Sequence, residues 1–394
     1  MTVAGSWFIS SICFGYVNAF GVYQTYYVET LLPSYSASSI AWIGSLQTYF
    51  LFAMGLVTGP LFDHGYFWHM MIVGSVLYVG TLFAQAQVQK DSYYQVFLSQ
   101  AVGQGIAMGI IFLPSMAVIG HHFQKRRALA MGLTVTGSSV GGIIFPILVN
   151  NVFNDRGYVW GVRAVGFFVL GACVLGNLLM RPRYPPRHTK PPTPSIFKLL
   201  RDPPYVVSIG GLFLTALGLF FVIFYIQLYT LTQGISENLS FYTLAILNAA
   251  SVVGRTLPNI LADRFGILQV MIPTVFLSGA IVFAMFGVKS VGAVVIFCIM
   301  YGFSSGAVVS LLAPLMAALS DHFWEMGMRM GFAFSLIGIA ALIGTPIDGA
   351  LIGNGPVFDW WKAEIFSGIV MLAGCALLVV AGYLLAKKRG LHFP

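Results

Sequence analysis

Three polar side chains share one face of an apolar segment in the second half of the chain. Asn248, Ser251 and Arg255 are separated by three and four residues, which places them on one side of a helix. A charged group inside a membrane-crossing helix costs about 2.5–3.5 kcal/mol on insertion scales, so it usually faces a bundle interior or a water-filled cavity. A guanidinium can hold a carboxylate in a bidentate contact. The stripe predicts an anion-binding or gating contact. The alternatives are polar helix packing for the stripe, and snorkelling or pairing with Asp263 for Arg255.

Four other polar side chains within apolar segments are candidates to line a pathway for a small molecule. They are Asn18, Gln104, Tyr225 and Tyr301. Tyrosines near the end of a span usually belong to the interfacial belt, whereas Tyr225 lies near the middle of its segment. We predict that these side chains contact substrate, with packing between helices as the alternative.

The sequence shows no catalytic or metal-binding constellation. His121 and His122 are adjacent, so on a helix they point about 100° apart and cannot hold one metal ion from one face. Walker loops are absent, which argues against transport driven by ATP. The cysteines lie in apolar runs, without a CxxC pair, and are expected to be core residues: Cys13, Cys173, Cys298 and Cys375. We therefore expect no enzyme activity, no cofactor and no metal.

The elements that position these side chains follow from the composition of the chain. Of 394 residues, 58% are hydrophobic and 8% are charged, against roughly 25% charged in an ordinary soluble domain. A soluble enzyme and a disordered chain are thereby excluded. Twelve helices of about 20 residues each would use roughly 240 residues and leave room for loops. Continuous apolar runs of this length favour helices over the short alternating strands of a barrel.

We predict an all-α polytopic membrane protein with twelve transmembrane helices in two six-helix bundles. The predicted spans, numbered 1 to 12, are 5–31, 38–62, 68–88, 94–119, 126–150, 157–180, 204–232, 239–262, 267–288, 291–318, 328–351 and 362–386. A basic, proline-rich segment, 181–203, separates six spans from six and predicts a cytoplasmic linker between an N-terminal bundle, 1–180, and a C-terminal bundle, 204–394. Within the linker, Ser195 to Leu200 is either a short surface helix or a loop.

Most lysine and arginine residues lie in one set of loops, which includes the linker and the tail after span 12. The positive-inside rule then places both termini in the cytoplasm. We expect an integral, multi-pass protein of the plasma membrane rather than of an internal membrane, without a cleaved signal peptide. Because the basic clusters lie between apolar runs, they indicate topology and not a nucleic-acid partner.

The two halves repeat one short pattern. Asp63, followed by Gly65, comes directly after span 2, and Asp263, followed by Gly266, comes directly after span 8. An acid is unfavourable at the carboxyl end of its own helix, because anions prefer helix N-termini. We therefore expect each aspartate to cap, or pair with, the start of a neighbouring helix.

The six-plus-six arrangement and the aspartate turns resemble the major facilitator superfamily. A more specific resemblance, to fungal members of its monocarboxylate porter branch, is carried by the glycines of spans 4 and 5, the basic run between them and parts of spans 8 and 11. These residues are Gly103, Gly105, Gly109, Pro114, Phe123, Lys125, Arg126, Arg127, Gly132, Gly137, Gly141, Gly142 and the segments 248–259 and 344–349. His122 stands where the branch usually has tyrosine. The resemblance implies alternating access by two rocking bundles around a midplane site.

This chain departs from the branch at two functional positions. Span 1 contains no lysine, and Asn18 or a neighbour stands near the position of the lysine that the branch carries there. In span 8, Arg255 matches the arginine of the branch, but Ser251 stands where the branch has an aspartate. Proton symport should therefore not be assumed. The acidic lead that usually precedes span 1 is also missing, which would fit a chain that lacks its first residues.

We predict a secondary transporter, either symporter or uniporter, for a small organic anion resembling a monocarboxylate, or for a related metabolite. Its partners would be the lipid bilayer, a small-molecule substrate and, if it is coupled, a proton; the sequence leaves an accessory membrane subunit open. The alternatives are a non-transporting nutrient sensor on the same scaffold and an efflux carrier for a non-carboxylate secondary metabolite. The short segment after span 12 argues against the sensor.

Charged residues at the cytoplasmic ends of the spans are candidate gating latches. They are Asp63, Lys125, Arg126, Arg127, Asp263 and Arg264. The positive-inside rule explains the positions of Lys125, Arg126 and Arg127 equally well. At the opposite ends, Glu29 and Asp348 are expected at the membrane interface, and Asp348 would become a candidate for proton coupling only if it faced the cavity.

Overall fold

A computed structural model describes residues 1–183, 196–320, 322, 325–353 and 358–390. In this part of the chain twelve helices are long and apolar enough to cross a membrane, which confirms the predicted number. From span 1 to span 12 their bounds are Thr2–Leu31, Ser39–Asp63, Phe67–Gln85, Tyr93–His122, Arg127–Arg156, Tyr158–Leu179, Pro203–Thr232, Glu237–Phe265, Ile267–Gly287, Val291–Ala318, Met326–Ile352 and Trp360–Arg389. Helices form because each backbone N–H and C=O is then satisfied within its own span.

Several spans change helical geometry along their length, and span 9 ends in the 3-10 turn Met285–Gly287. Span 1 contains the π-helical turns Ser11–Gly15 and Tyr27–Leu31, and span 4 contains the π-helical segment Phe97–Gln104. Span 2 is interrupted at Met54, between Ala37–Ala53 and Gly55–Asp63. Such irregularities are tolerated in membranes where neighbouring helices satisfy the freed backbone groups.

The prolines within spans have unequal effects. Span 4 continues through Pro114 and is interrupted only at Val118, one turn later. Pro258 lies inside span 8, which continues unbroken to Phe265. A proline in these spans therefore does not by itself end a helix.

The outer faces of the spans are apolar and exposed, as a lipid-facing surface requires. In span 3, Val73 and Val76 are exposed, the latter at 69%, whereas Met71 and Tyr78 on the other face are fully buried. Span 8 exposes Val253 and buries the polar face that carries Asn248 and Ser251. Polar residues in the spans thus face other helices.

Contacts divide the chain into two compact units. Unit 1 comprises Met1–Gln124, Leu133–Pro191 and Met326–Gly338; unit 2 comprises Lys125–Gly132, Pro192–Glu325 and Ile339–Pro394. The first turns of spans 5 and 11 therefore belong to a different unit from the remainder of those spans. Residues 184–195 of the predicted linker lie outside the described residues, and Ile196–Leu200 forms the short helix that was one of the two expectations for this segment.

Candidate substrate-binding and gating residues

The polar face of span 8 is buried within unit 2. Asn248, Ser251 and Arg255 all lie on this face, and the exposed fraction of Arg255 is only 5%. The Asn248 amide donates to the carbonyl of Leu244 at 3.0 Å. The predicted stripe is confirmed as a single face, and it carries a buried guanidinium.

Close packing of spans 8 and 10 creates this burial. At Gly254, a β-carbon would contact the carbonyl oxygen of Phe303; at Gly302, it would contact the carbonyl oxygen of Leu247. A β-carbon at Gly306 would lie 2.7 Å from Oγ of Ser251. Small residues permit such backbone approach in membranes. Ser251 therefore lies in a helix–helix contact, which was the alternative to a cavity wall.

Asn259 extends the polar face by one turn beyond Arg255. Its amide donates to the carbonyl of Arg255 at 2.8 Å and to Oγ of Ser310 at 2.6 Å. Next to it, a β-carbon at Gly132 of span 5 would lie 2.5 Å from the carbonyl oxygen of Arg255. The backbone around Arg255 is thus held by spans 5 and 10, which restricts the positions open to its side chain.

The two predicted tyrosines are hydrogen-bonded to backbone carbonyls of unit 2. Tyr301 is fully buried, and its hydroxyl donates to the carbonyl of Leu219 at 2.7 Å. The hydroxyl of the half-buried Tyr225 donates to the carbonyl of Thr345 at 3.1 Å. These bonds link span 10 to span 7 and span 7 to span 11. A contact of either tyrosine with substrate stays a prediction.

Gln104 belongs to a buried polar network in unit 1. Its amide donates to Oε1 of Gln85 at 2.6 Å, and its Oε1 accepts from Gln47 at 3.2 Å. Gln85 also donates to Oη of Tyr27 and to Oε1 of Gln100, at 2.7 and 3.1 Å. We call these five residues the glutamine network. It joins spans 1 to 4, and it engages both the amide nitrogen and the Oε1 of Gln104.

Asn18, the remaining candidate of unit 1, makes a local contact. Its amide donates to the carbonyl of Phe14 at 2.9 Å, one turn earlier in span 1. This hydrogen bond stays within span 1 and does not join Asn18 to the glutamine network. Its proposed contact with substrate rests on the sequence alone.

Asp63 and Asp263 cap helix starts, as the repeated pattern predicts. In unit 1, Oδ1 and Oδ2 of Asp63 accept the backbone N–H groups of Gly327 and Met328, at 3.0 and 2.8 Å. In unit 2, the carboxylate of Asp263 accepts those of Ala128 and Leu129, both at 2.9 Å. A carboxylate at a helix N-terminus satisfies orphan donors and opposes the helix dipole. The expectation of capping is therefore confirmed at spans 11 and 5.

The basic candidates for latches have different surroundings. Lys125 and Arg126 are exposed, as topology signals would be. Arg127 is half-buried, and its guanidinium donates to the carbonyl of Ala317 at 3.5 Å. Arg264 lies 5.4 Å from the ring centre of Phe265, in cation–π geometry. A gating role for any of these residues remains a prediction.

Asp348 lies four residues before the end of span 11, and its predicted position at the outer membrane interface stays a prediction. It is fully buried in span 11, where Oδ1 accepts from Oγ of Ser367 at 2.9 Å. Two further charged residues that are buried in the spans were not among the predicted site residues: Glu364 of span 12, 1% exposed, and Arg329 of span 11, 3% exposed. Their burial could have been predicted from the sequence, because each charge lies within an apolar run, where an exposed charge would be costly.

In the described part of the chain, no group of three or more His, Cys, Asp or Glu residues is placed to hold a metal ion. All four cysteines are free and buried, as expected for core residues. Twelve spans with buried polar faces define a multi-pass helical membrane protein. The sequence profile of the Major Facilitator Superfamily matches residues 3–323. The chain belongs to this superfamily.

Several fungal proteins are similar to this chain over most of its length. The aspyridones efflux protein apdF of Emericella nidulans is 37% identical over 96% of this chain and 76% of its own length. The agnestins efflux protein AgnL12 of Paecilomyces divaricatus is 36% identical, over 97% and 86%. The fujikurins efflux protein of Gibberella fujikuroi is 36% identical, over 99% and 83%.

A solved structure shares the fold. The crystal structure of the human organic anion transporter MFSD10 superimposes with a TM-score of 0.74, covering 96% of this chain and 98% of that protein, at 14% sequence identity. At this identity the likeness concerns the fold alone. The predicted fold class is confirmed.

Proposed function

We propose that this transporter exports a small organic metabolite that carries an ionised acidic group. The observation behind export is the similarity, at 36–37% identity over nearly the whole chain, to three fungal proteins named for the efflux of aspyridones, agnestins and fujikurins. These names favour the efflux of a secondary metabolite over the uptake of a monocarboxylate. They give no support to a non-transporting nutrient sensor.

Arg255 supports the proposal that the substrate carries an acidic group. Its guanidinium is buried in span 8, where a charge is costly unless it serves a partner or a ligand. The planar fork of arginine suits a carboxylate or another delocalised anion. Asn248 lies two turns away on the same face and would add a polar contact along the substrate. A compound of the monocarboxylate type fits this contact as well as a larger acidic metabolite does.

Alternating access of two six-span bundles, 1–180 and 204–394, is the transport mechanism that we propose. Both termini and the linker would lie in the cytoplasm, and export would place the protein in the plasma membrane. Asp63 and Asp263 would then act as latches, because each caps the first turn of a span from the other half of the sequence. Release of such a cap would free that helix start to move.

Counterflow in inside-out plasma-membrane vesicles tests this function. Vesicles from yeast expressing the full chain are loaded with unlabelled aspyridone or carboxyfluorescein, and exchange of the labelled compound is followed without an ion gradient. We expect exchange by the unaltered protein. A lost charge-assisted contact is worth about 1.5–3 kcal/mol, so Arg255→Gln should weaken apparent affinity about ten- to a hundredfold.

Two further variants make the test specific. Arg255→Lys keeps the charge and should retain part of the exchange, whereas Arg163→Gln, which removes a half-buried arginine of span 6, should leave it intact. Absence of counterflow for every acidic compound would overturn the proposed function. Normal affinity in a well-folded Arg255→Gln protein would overturn the binding site.

A further inference from the structure

Two buried carboxyl groups lie at the contact between spans 11 and 12. Asp348 is fully buried and Glu364 is 1% exposed. Glu364 and Ser367 are three residues apart and share a face of span 12, and Ser367 donates to Oδ1 of Asp348 at 2.9 Å. Glu364 therefore lies on the face of span 12 whose Ser367 contacts Asp348.

Each carboxyl group has one oxygen without a hydrogen bond. In the described part of the chain, Oδ2 of Asp348 and Oε2 of Glu364 are buried and have no partner. No ion pair of the described residues includes either group. Lys362, the nearest cation along the sequence, contacts Asp359 at 2.7 Å instead. An isolated ionised carboxylate is strongly disfavoured in such surroundings, whereas a protonated carboxyl group is not.

The titratable groups that face this contact supply no positive charge. Tyr225 of span 7 and Tyr301 of span 10 lie within electrostatic range of Asp348, and Tyr229 of span 7 lies within electrostatic range of Glu364. Their hydroxyls donate to the backbone carbonyls of Thr345, Met285 and Leu219. The donors of all three tyrosines are thus already used, and an added proton must reside on Asp348 or Glu364.

The site lies near one end of the spans. Asp348 is four residues before Ile352, the end of span 11, and Glu364 is four residues after Trp360, the start of span 12. By helical rise, each is about 6 Å from the end of its helix. This end is opposite to the linker and to Asp63 and Asp263. The predicted topology makes it the outer side.

We propose that Asp348 and Glu364 form the proton-binding site that couples export to the proton gradient. This inference rests on the proposed function. One proton enters from the outer side and bonds to a carboxylate oxygen, the neutral form of the pair permits return of the empty carrier, and the same proton leaves towards the cytoplasm. Ser367 positions Asp348 and does not itself carry the proton.

Inside-out vesicles separate coupling from binding. Carboxyfluorescein accumulation driven by an imposed pH gradient is measured beside counterflow without a gradient. We expect Asp348→Asn and Glu364→Gln to reduce gradient-driven accumulation at least tenfold and to leave counterflow within twofold. Glu29→Gln, which neutralises an exposed acid at the same end of span 1, should change neither quantity. Gradient-driven accumulation that survives in both variants would overturn the proposal.

A measurement without substrate keeps the proton site independent of the transported compound. Purified full-length protein in proteoliposomes is examined by infrared spectroscopy for the C=O band of a protonated carboxyl group. Loss of this band in Asp348→Asn or Glu364→Gln supports the site even if carboxyfluorescein is not transported, in which case only the proposed function fails. An identical band in the unaltered protein and in both variants would overturn the site. Because asparagine and glutamine match the neutral acids in shape, we expect both variants to fold.

Discussion

The carboxylate of Asp263 accepts the backbone N–H of Leu129 at 2.9 Å, so the end of span 8 caps the start of span 5. Asp63 does the same for Met328 at 2.8 Å, at the start of span 11. The repeated pattern of the sequence is thus a repeated contact. Its physical basis is the set of N–H groups that the first turn of a helix leaves without an intrahelical acceptor.

Removal of either cap should lower stability. We expect Asp63→Ala and Asp263→Ala each to cost about 1 kcal/mol, with a milder loss for asparagine, which keeps one acceptor. Thermal unfolding of the detergent-purified protein measures the effect. Asp155→Ala is the control, because Asp155 is exposed. Equal melting temperatures for Asp155→Ala and both cap variants would contradict the capping role.

Alanine at Gly302 should destabilise unit 2 by overpacking. Its β-carbon would meet the carbonyl oxygen of Leu247 in span 8, and such crowding typically costs 1–3 kcal/mol. Gly292→Ala is a matched control in the same span, since nothing lies within 4 Å of its β-carbon position. We expect a lower melting temperature and less exchange for Gly302→Ala. A lower melting temperature for Gly292→Ala than for Gly302→Ala would contradict the close packing of spans 8 and 10 at Gly302.

Substitution of Gln104 should reveal whether this residue stabilises the glutamine network or contacts the substrate. Gln104→Leu leaves Gln47 and Gln85 with unsatisfied buried groups, which costs about 1–3 kcal/mol. A double-mutant cycle with Gln47→Leu should show coupling of at least about 0.5 kcal/mol. Apparent substrate affinity, measured by counterflow, separates the roles. An unchanged melting temperature with weakened affinity would favour the direct substrate contact that the sequence suggested.

Tyr301→Phe removes one hydrogen bond and little volume. The carbonyl of Leu219 would lose its donor, with an expected loss of about 1 kcal/mol and no change in affinity for carboxyfluorescein. Tyr225→Phe serves as the comparison, because Tyr225 is only half-buried and could still reach a substrate. A weakened affinity in Tyr301→Phe at unchanged stability would assign this residue to the substrate pathway.

Sequence reasoning succeeded where a local property decides the outcome. Span number follows from the length of apolar runs, since each backbone must satisfy its hydrogen bonds inside the bilayer. The capping role of Asp63 and Asp263 was predictable for a similar reason, because an acid at the carboxyl end of one helix needs the N-terminus of another. The common face of Asn248, Ser251 and Arg255 required only the period of the helix.

The surroundings of each polar side chain depended on neighbours far away in the sequence. From the sequence, Gln104 could face a substrate pathway or another helix. Its hydrogen bonds to Gln47 of span 2 and Gln85 of span 3 place it in a network between helices. Ser251 lies in a helix contact because Gly306 permits close approach. Asp348 is buried because span 12 packs against it and places Ser367 on its carboxylate.

By itself, then, the sequence determined how many times this chain crosses the membrane, which residues share a helix face and which aspartates need a partner. These properties follow from periodicity, apolar length and backbone hydrogen bonding, all of which are local. Only the tertiary structure decided which polar groups are already satisfied and which, like Oδ2 of Asp348, are buried without a partner. That distinction depends on packing between distant spans, because a buried carboxyl group is costly or harmless according to what its neighbours donate.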